Sequence, residues 1–443
     1  MKDIQTDIRK YGVLYFLIML HLFGGGIANA AIVVSSVYAF IYFVFKREVD
    51  LYVVFLLLFT NICMGQNSDA ENVSNINVGI YNNFKNVLIL GPLALSTKFT
   101  FVLAIPFRAL INITKSKNYF LLAGWYLLIL LSLIGLLMSF TSGIENKSGL
   151  TVGFRIALTM GVILLPQMVS HKDDFLRQFD KIMYLSLVTL ALGLMNAHWL
   201  FIVFGFLPFM WFRFKSLFAK VFIIICLGRV LIGVDTTITI VGTILVSLGF
   251  AGLVQMKMFN TKSLSHVGFF LIVIPIILTI IILIIPNDKI GYDFQSVTGY
   301  IKFKLIGDRK PIWDASYLQI ITQNFFIAPA GSSLEVYFDY IQQWRDWPEG
   351  SHNIFLETGR QISYFGMLFL GLLIVKALTW SLRNVLDLLD CRIVLCFVAV
   401  YMVFGLSGQH IVYDGVGFMF WLLLGQLTSI NKSENENIAY IGG

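Results

Sequence analysis

The sequence lacks the short motifs that mark common nucleotide-dependent and metal-dependent enzymes. Its 443 residues contain no Asp-x-Asp pair, no Walker-type glycine-rich loop, no Gly-x-Ser-x-Gly elbow and no His-Glu-x-x-His. Those patterns supply metal ligands, phosphate-binding amides, a nucleophilic serine or a zinc site. The sequence therefore predicts neither an ATPase nor a metallohydrolase, and we expect no metal and no cofactor.

Charge and cysteine are also scarce. Charged residues make up 13% of the chain and hydrophobic residues 58%, with a mean hydropathy of +0.81. A soluble domain cannot bury that much apolar surface, so this balance predicts an all-α polytopic membrane protein in contact with membrane lipids. None of the four cysteines falls in the long polar segment 286–363, so no disulfide is expected there.

Continuous apolar runs predict about 12–14 transmembrane helices, since a bilayer crossing needs about 20 mostly apolar residues. Candidate runs lie near 11–23, 27–45, 51–66, 93–113, 119–140, 150–169, 182–198, 199–212, 218–234, 236–255, 267–285, 364–380, 393–409 and 416–429. We expect helices 1–11 within 1–285, one large loop at 286–363, helices 12–14 within 364–429 and a polar cytoplasmic tail at 430–443.

Lysine and arginine in the short loops fall mostly on one side of this predicted topology. The positive-inside rule then places both termini in the cytoplasm and the large loop outside it. The first apolar run has no small-residue cleavage site and is interpreted as a retained anchor. The net charge of +7 follows from this loop distribution and indicates no nucleic-acid partner.

The polar segment 286–363 holds most of the candidate chemistry. A helix is predicted from Ile312 to Phe326, ended by Pro329 and Gly331. Farther along is a group of aromatic residues that suits either an interfacial belt or stacking against sugar rings: Tyr337, Phe338, Tyr340, Trp344 and Trp347.

His352 is the candidate general base. An imidazole changes charge near neutral pH and can take a proton from a sugar hydroxyl. The alternative is a polar histidine that only caps the following helix.

Arginine is suited to binding a diphosphate because its guanidinium is planar, permanently charged and bidentate. Arg309, Arg345 and Arg360 are the candidates in the polar segment. Arg155 and Arg229 fall within predicted apolar helices, where a charge usually marks a functional site. Both could instead extend their side chains to the membrane surface.

Two motifs flank the polar segment. It opens with Gly307-Asp308-Arg309-Lys310-Pro311-Ile312-Trp313, followed by Pro329-Ala330-Gly331. It closes with His352-Asn353-Ile354-Phe355-Leu356-Glu357, and then Ser363-Tyr364-Phe365-Gly366. This pattern resembles the O-antigen polymerase and O-antigen ligase superfamily, bacterial inner-membrane glycosyltransferases that take glycans from undecaprenyl diphosphate. In that superfamily a late periplasmic loop opens with Arg and a nearby Trp and closes with His-Asn before a Gly-x-x-Gly helix.

The resemblance implies a GT-C-like architecture in the inner membrane, with the large loop in the periplasm. It implies a polymerase of undecaprenyl-diphosphate-linked repeat units, with a ligase that transfers the glycan to lipid A-core as the alternative and a glycolipid flippase as a weaker one. The implied catalytic residues are His352, Arg309 and Arg360. The implied substrate-binding residues are Arg155, Arg229, Arg345, Trp313, Asn353 and Glu357.

Partners implied by the same resemblance are the lipid-linked oligosaccharide, a chain-length regulator and a flippase of the same pathway. Two departures stand out. Ser363 replaces the first glycine of Gly-x-x-Gly, and Val234-Asp235 occupies the place where the superfamily often has Ser-Arg. If one diphosphate-binding arginine is missing for that reason, Arg229 or Arg155 is the expected substitute.

Overall fold

The computed structural model of the chain describes part of it, and at some helical positions only the backbone is described. The described residues are 2–22, 25–46, 49–59, 88–90, 93–95, 97–111, 119–141, 152–168, 175–191, 207, 210–233, 248, 261–286, 290, 296–307, 309–328, 334–347, 350–384, 398, 401–402 and 414–429. Most of the candidate runs 199–212, 236–255 and 393–409, and the whole tail 430–443, lie outside them.

The described part is mostly helical. Its helices are α1 Lys2–Leu22, α2 Gly25–Phe45, α3 Leu51–Phe59, α4 Thr97–Ile111, α5 Tyr119–Thr141, α6 Val152–Met160, α7 Phe175–Ala191, α8 Leu217–Gly233, α9 Thr261–Ile284, α10 Val297–Lys302, α11 Lys310–Thr322, α12 Ile354–Gln361, α13 Tyr364–Asn384 and α14 Asp414–Ser429. A 3-10 helix, Gly161–Met168, continues α6, and a π-helical turn, Phe303–Gly307, continues α10.

Two antiparallel hairpins correct the expectation of an all-α chain. Strand β1 (Leu88–Leu90) pairs with β2 (Leu93–Leu95), and β3 (Leu334–Phe338) pairs with β4 (Gln343–Trp347). The segment predicted as one large loop therefore contains α10, α11, the β3–β4 hairpin and α12. Its predicted helix is confirmed as α11, which begins two residues earlier than expected and ends at Thr322 rather than near Phe326.

The expectation of a polytopic membrane fold needs correction as well. Counted over the residues that the structure describes, no helix combines the length and the apolar character that a bilayer crossing requires. This finding contradicts the expected fold of 12–14 transmembrane helices. It equally contradicts the expected multi-pass location in an inner membrane.

Two of the apolar runs form shorter elements than their composition suggests. In the run 150–169, the described residues are divided between a nine-residue α6 and the 3-10 helix that contains Pro166. The run 93–113 is divided between strand β2 and the 15-residue α4. Apolar composition fixes which residues avoid water, but local backbone geometry decides where a helix begins and ends.

Apolar side chains pack into two clusters. The larger one draws on α1 to α8, α13 and α14, and includes Trp125, Phe179 and Trp421. The second cluster joins α9, α11, β3 and α12: Ile282, Ile312, Trp313, Ile320, Leu334, Val336, Phe338 and Leu356. Helix α12 contributes to both, because Ile354 and Phe355 face the larger cluster and Leu356 faces the second.

Polar contacts tie the first helices together. Asp50 accepts hydrogen bonds from Lys10 Nζ at 2.6 Å, from the Tyr11 hydroxyl at 2.7 Å and from the Tyr52 backbone N–H at 3.0 Å. Buried Arg108 of α4 donates to the carbonyls of Phe43 and Lys46 at the end of α2. Cations at a helix C-terminus satisfy carbonyls that lack intrahelical partners, so Arg108 has a capping role.

Burial raises the pKa of Asp50, but the hydrogen bonds from Lys10, Tyr11 and Tyr52 outweigh it and leave the pKa below its usual value. Because the folded pKa lies below the unfolded one, the stabilisation is present above the unfolded pKa and is lost as pH falls through the folded pKa.

We expect Asp50→Asn to lower the free energy of unfolding by about 1–2 kcal/mol at neutral pH, since charged hydrogen bonds become neutral ones. The difference from the unsubstituted protein should shrink as pH is lowered from about 5 to 3. Denaturant unfolding at a series of pH values measures both effects. A stability gap that stays constant across this range would refute the assigned role of Asp50.

Candidate functional site

Helix α12 begins at a capped N-terminus that is fixed to α9. Asn353 has extended backbone angles, and its Oδ1 accepts hydrogen bonds from the N–H groups of Phe355 and Leu356 at 3.0 and 3.2 Å. Its Nδ2 donates to the Thr279 hydroxyl at 2.9 Å, across 74 residues of chain. An asparagine at this position supplies the acceptor that the first helical N–H groups need. Asn353 is fully buried, so it positions the start of α12.

The carboxylate of Glu357 organises the interior of this site. It accepts hydrogen bonds from the Ser351 N–H at 2.9 Å, the Ser351 hydroxyl at 2.6 Å, Arg360 Nη2 at 2.8 Å, Arg360 Nε at 3.3 Å and Gln361 Nε2 at 3.1 Å. Glu357 is 1% exposed and Arg360 4%. The pair therefore joins the turn before α12 to the last turn of the helix, away from solvent.

Burial by itself would raise the pKa of Glu357. The Arg360 charge and the hydrogen bonds from Arg360 and Ser351 outweigh burial, and the pKa lies below its usual value. Glu357 is therefore ionised at neutral pH and pairs with a charged guanidinium.

His352 lies between two residues of this buried network, yet it is partly exposed. Its backbone φ is +50°, in the left-handed region that side chains with a Cβ rarely adopt. Gly350, two residues earlier, has a φ of +74°, and its carbonyl accepts a hydrogen bond from Trp347 Nε1 at 3.0 Å. The Trp347 and His352 rings meet edge to face with centroids 5.8 Å apart. The turn therefore holds the imidazole against the Trp347 ring.

Strained backbone persists where the surroundings impose it, and such positions cluster at functional sites. Here Ser351 is fixed by Glu357 on one side, and Asn353 is fixed by α12 and Thr279 on the other. His352 is consequently held in a conformation that costs roughly 1–2 kcal/mol for a residue other than glycine.

Arg309 and Trp313 lie at the start of α11. Arg309 is partly buried, immediately precedes α11, and its carbonyl accepts the first helical hydrogen bond, from Trp313 N–H at 2.9 Å. Trp313 is 1% exposed in the second apolar cluster, which also contains Leu356 of α12. Within the described part of the chain its indole Nε1 has no hydrogen-bond acceptor. Buried donors of this kind are uncommon.

The other predicted arginines are placed differently. Arg345 is exposed on β4, opposite Val336. Arg155 belongs to α6 and Arg229 to α8, and their side chains lie outside the described residues. The backbone of α6 reaches α12 directly, since a Cβ added at Gly153 would stand 2.3 Å from the Gln361 carbonyl oxygen. This close approach requires glycine and brings the start of α6 next to the end of α12.

Ser363, the departure from Gly-x-x-Gly, has a structural role. Its hydroxyl accepts a hydrogen bond from Gly366 N–H at 3.0 Å, which caps α13, and Ser363 is fully buried. A Cβ at Gly366 would stand 2.9 Å from the Ile362 side chain. Serine supplies a cap that glycine cannot, while the second glycine preserves the close packing.

The structure therefore brings His352, Asn353, Glu357 and Arg360 into one turn and one short helix, and joins Trp313 to that helix through the apolar cluster. Sequence reasoning did not single out three participants in this network: Thr279, Ser351 and Gln361. The Asn353 cap and the three-residue spacing of Glu357 and Arg360 are signals that could have predicted the ordered α12. The contact with Thr279 is decided by tertiary structure.

Among the described residues, no group of three or more His, Cys, Asp or Glu side chains is arranged to hold a metal ion.

Comparisons with models of protein families, with curated proteins and with solved structures return no match to this chain.

We expect Glu357→Gln to destabilise the protein by about 3–5 kcal/mol, because it leaves the Arg360 charge buried without its counterion. The double variant Glu357→Gln/Arg360→Met should recover much of that loss, since it removes the unpaired charge. Denaturant unfolding of the full chain measures both. If the double variant were as unstable as the single one, the unpaired Arg360 charge would not be the cause of the instability, and the pairing of Arg360 with Glu357 would not stabilise the protein.

Proposed function

We propose that this protein is a glycosyltransferase that takes a glycan from a polyprenyl-diphosphate carrier and joins it to an acceptor hydroxyl. The leading form of the proposal is a polymerase of undecaprenyl-diphosphate-linked repeat units. Support comes from the resemblance at residues 307–313 and 352–366, and from the way that the buried Glu357 network presents His352.

One observation carries the proposal. His352 is partly exposed and has a strained backbone, and the buried, hydrogen-bonded network around Glu357 holds it in place. A histidine that only capped α12 would be redundant, because Asn353 already performs that function. The energetic cost of the left-handed backbone needs another explanation, and presentation of an imidazole to a substrate supplies one.

In the proposed reaction, His352 accepts the proton of the acceptor hydroxyl as its oxygen forms a bond to the anomeric carbon. The bond from that carbon to the diphosphate oxygen breaks, and the polyprenyl diphosphate leaves with the electron pair. Negative charge grows on the leaving group, where arginine stabilises it most effectively. Arg309 is the candidate for this contact, whereas Arg360 is a positioning residue because its guanidinium binds Glu357.

A polymerase and a ligase share this chemistry and differ in the acceptor. The acceptor therefore has to be determined directly. Purified protein supplied with a lipid-linked repeat unit should build a ladder of longer glycans if it is a polymerase. Transfer only to added lipid A-core would identify a ligase, and no transfer to either acceptor would refute the proposal.

We expect His352→Ala to reduce transfer by roughly 10²- to 10⁴-fold, the usual contribution of a general base. His352→Gly should lose activity to the same extent but exceed His352→Ala in stability by about 1 kcal/mol, because glycine adopts the left-handed backbone without steric cost. Transfer assays and denaturant unfolding on both variants separate chemistry from backbone strain. Full activity in His352→Gly would show that His352 is not the general base and has only a structural role.

We expect Arg309→Lys to impair transfer nearly as severely as Arg309→Ala, because lysine keeps the charge but loses the bidentate geometry. Arg345→Lys is the matched control, since Arg345 is exposed on β4 and should tolerate lysine with less than about a twofold change. Initial rates at saturating donor compare the four proteins, including the unsubstituted one. If both positions tolerated lysine equally, Arg309 would not make the proposed bidentate contact with the leaving diphosphate.

A further inference from the structure

Strand β3 of the β3–β4 hairpin packs one face against the rest of the protein and exposes the other. Leu334, Val336 and Phe338 of β3 point into the second apolar cluster. Tyr337, between them, points outward and pairs directly with Trp344 of β4. The two rings have centroids 5.3 Å apart at 52°, and they are 39% and 69% exposed respectively. Two large aromatic side chains thus share a solvent-facing patch.

The same face also carries two opposed acids. Glu335 pairs directly with Asp346, and residues two apart on a strand share a face, so this pair lies beside Tyr337 and Trp344. Both acids are exposed, and neither makes an ion pair with any residue in the described ranges. Like charges directly opposite each other destabilise a hairpin. The arrangement therefore weakens the fold slightly and offers four carboxylate oxygens to a ligand.

The aromatic rings and the carboxylates together indicate which class of ligand this face would bind. An aromatic face packs against the apolar C–H face of a sugar ring, and carboxylates accept hydrogen bonds from hydroxyls. The two acids disfavour an anionic ligand. A neutral polyhydroxylated chain uses both features of the face, the aromatic rings and the hydrogen-bond acceptors.

The position of the face relates it to the candidate catalytic turn. Trp347, which contacts His352, lies on the same strand as Trp344 but faces the opposite side of the hairpin. The two tryptophans are three positions apart along the strand, a distance of about 10 Å. A glycan on the outer face would thus lie near His352 without placing its stacked sugars at the reacting atoms.

We propose that the outer face of the β3–β4 hairpin, formed by Glu335, Tyr337, Trp344 and Asp346, is a binding subsite for a neutral stretch of glycan remote from the reacting hydroxyl. The inference rests on the proposed function only in identifying this glycan as the acceptor chain. Binding of oligosaccharide to the face is independent of any transfer.

The test uses the full chain and an array of neutral oligosaccharides, anionic oligosaccharides and basic peptides. We expect binding to neutral oligosaccharides, weakened about fivefold or more by Trp344→Ala and largely restored by Trp344→Phe. Tyr317→Ala is the matched control, because Tyr317 is a similarly exposed aromatic, 42% exposed, on α11. It should leave binding unchanged.

In the transfer assay, Trp344→Ala should raise the acceptor KM about fivefold and leave kcat unchanged, as expected for a contact made equally in the ground and transition states. Trp344-dependent binding in a protein without transfer activity would support the subsite and overturn the proposed function. Binding that Trp344→Ala leaves unaltered would overturn the subsite. Absence of binding to neutral oligosaccharides, or binding to basic peptides alone, would overturn it too.

Discussion

The buried carboxylate of Glu357 is the constraint on which the described site depends. A charge removed from water is tolerated only where it is paired and hydrogen-bonded. Five hydrogen bonds from Ser351, Arg360 and Gln361 meet that requirement. Because two of these bonds come from Ser351, the charge also determines where the following residue, His352, must lie.

Helix α12, which contains Glu357 and Arg360, contacts several other elements of the fold. Its apolar side chains divide between the two clusters, and Asn353 fixes its start to Thr279 of α9. Its end lies against the backbone of α6 at Gly153. A shift of α12 would therefore disturb elements from several distant parts of the sequence. Such a support can hold a strained turn in one conformation.

Local sequence signals account for two elements of this region. The helix at Lys310–Thr322 and the polar turn at Ser351–Asn353 follow from local signals, namely apolar spacing, a proline at the helix start and an asparagine cap. The apolar runs were interpreted as membrane-spanning helices, and among the described residues none has the required length and hydropathy. Hydropathy averaged over a run does not register the change from α-helix to 3-10 helix after Met160.

By itself, the sequence determined a mostly helical chain rich in apolar residues, and a polar segment that gathers histidine, asparagine and arginine near two helix starts. Tertiary structure decided that Glu357 and Arg360 bind each other inside the protein, that His352 has a left-handed backbone, and that Tyr337 and Trp344 share an exposed face. The reason is physical: residue type and spacing fix local hydrogen bonding and helical periodicity. Burial and strand register depend on segments that are distant in the chain, and a shift of one residue in register would reverse which face is exposed.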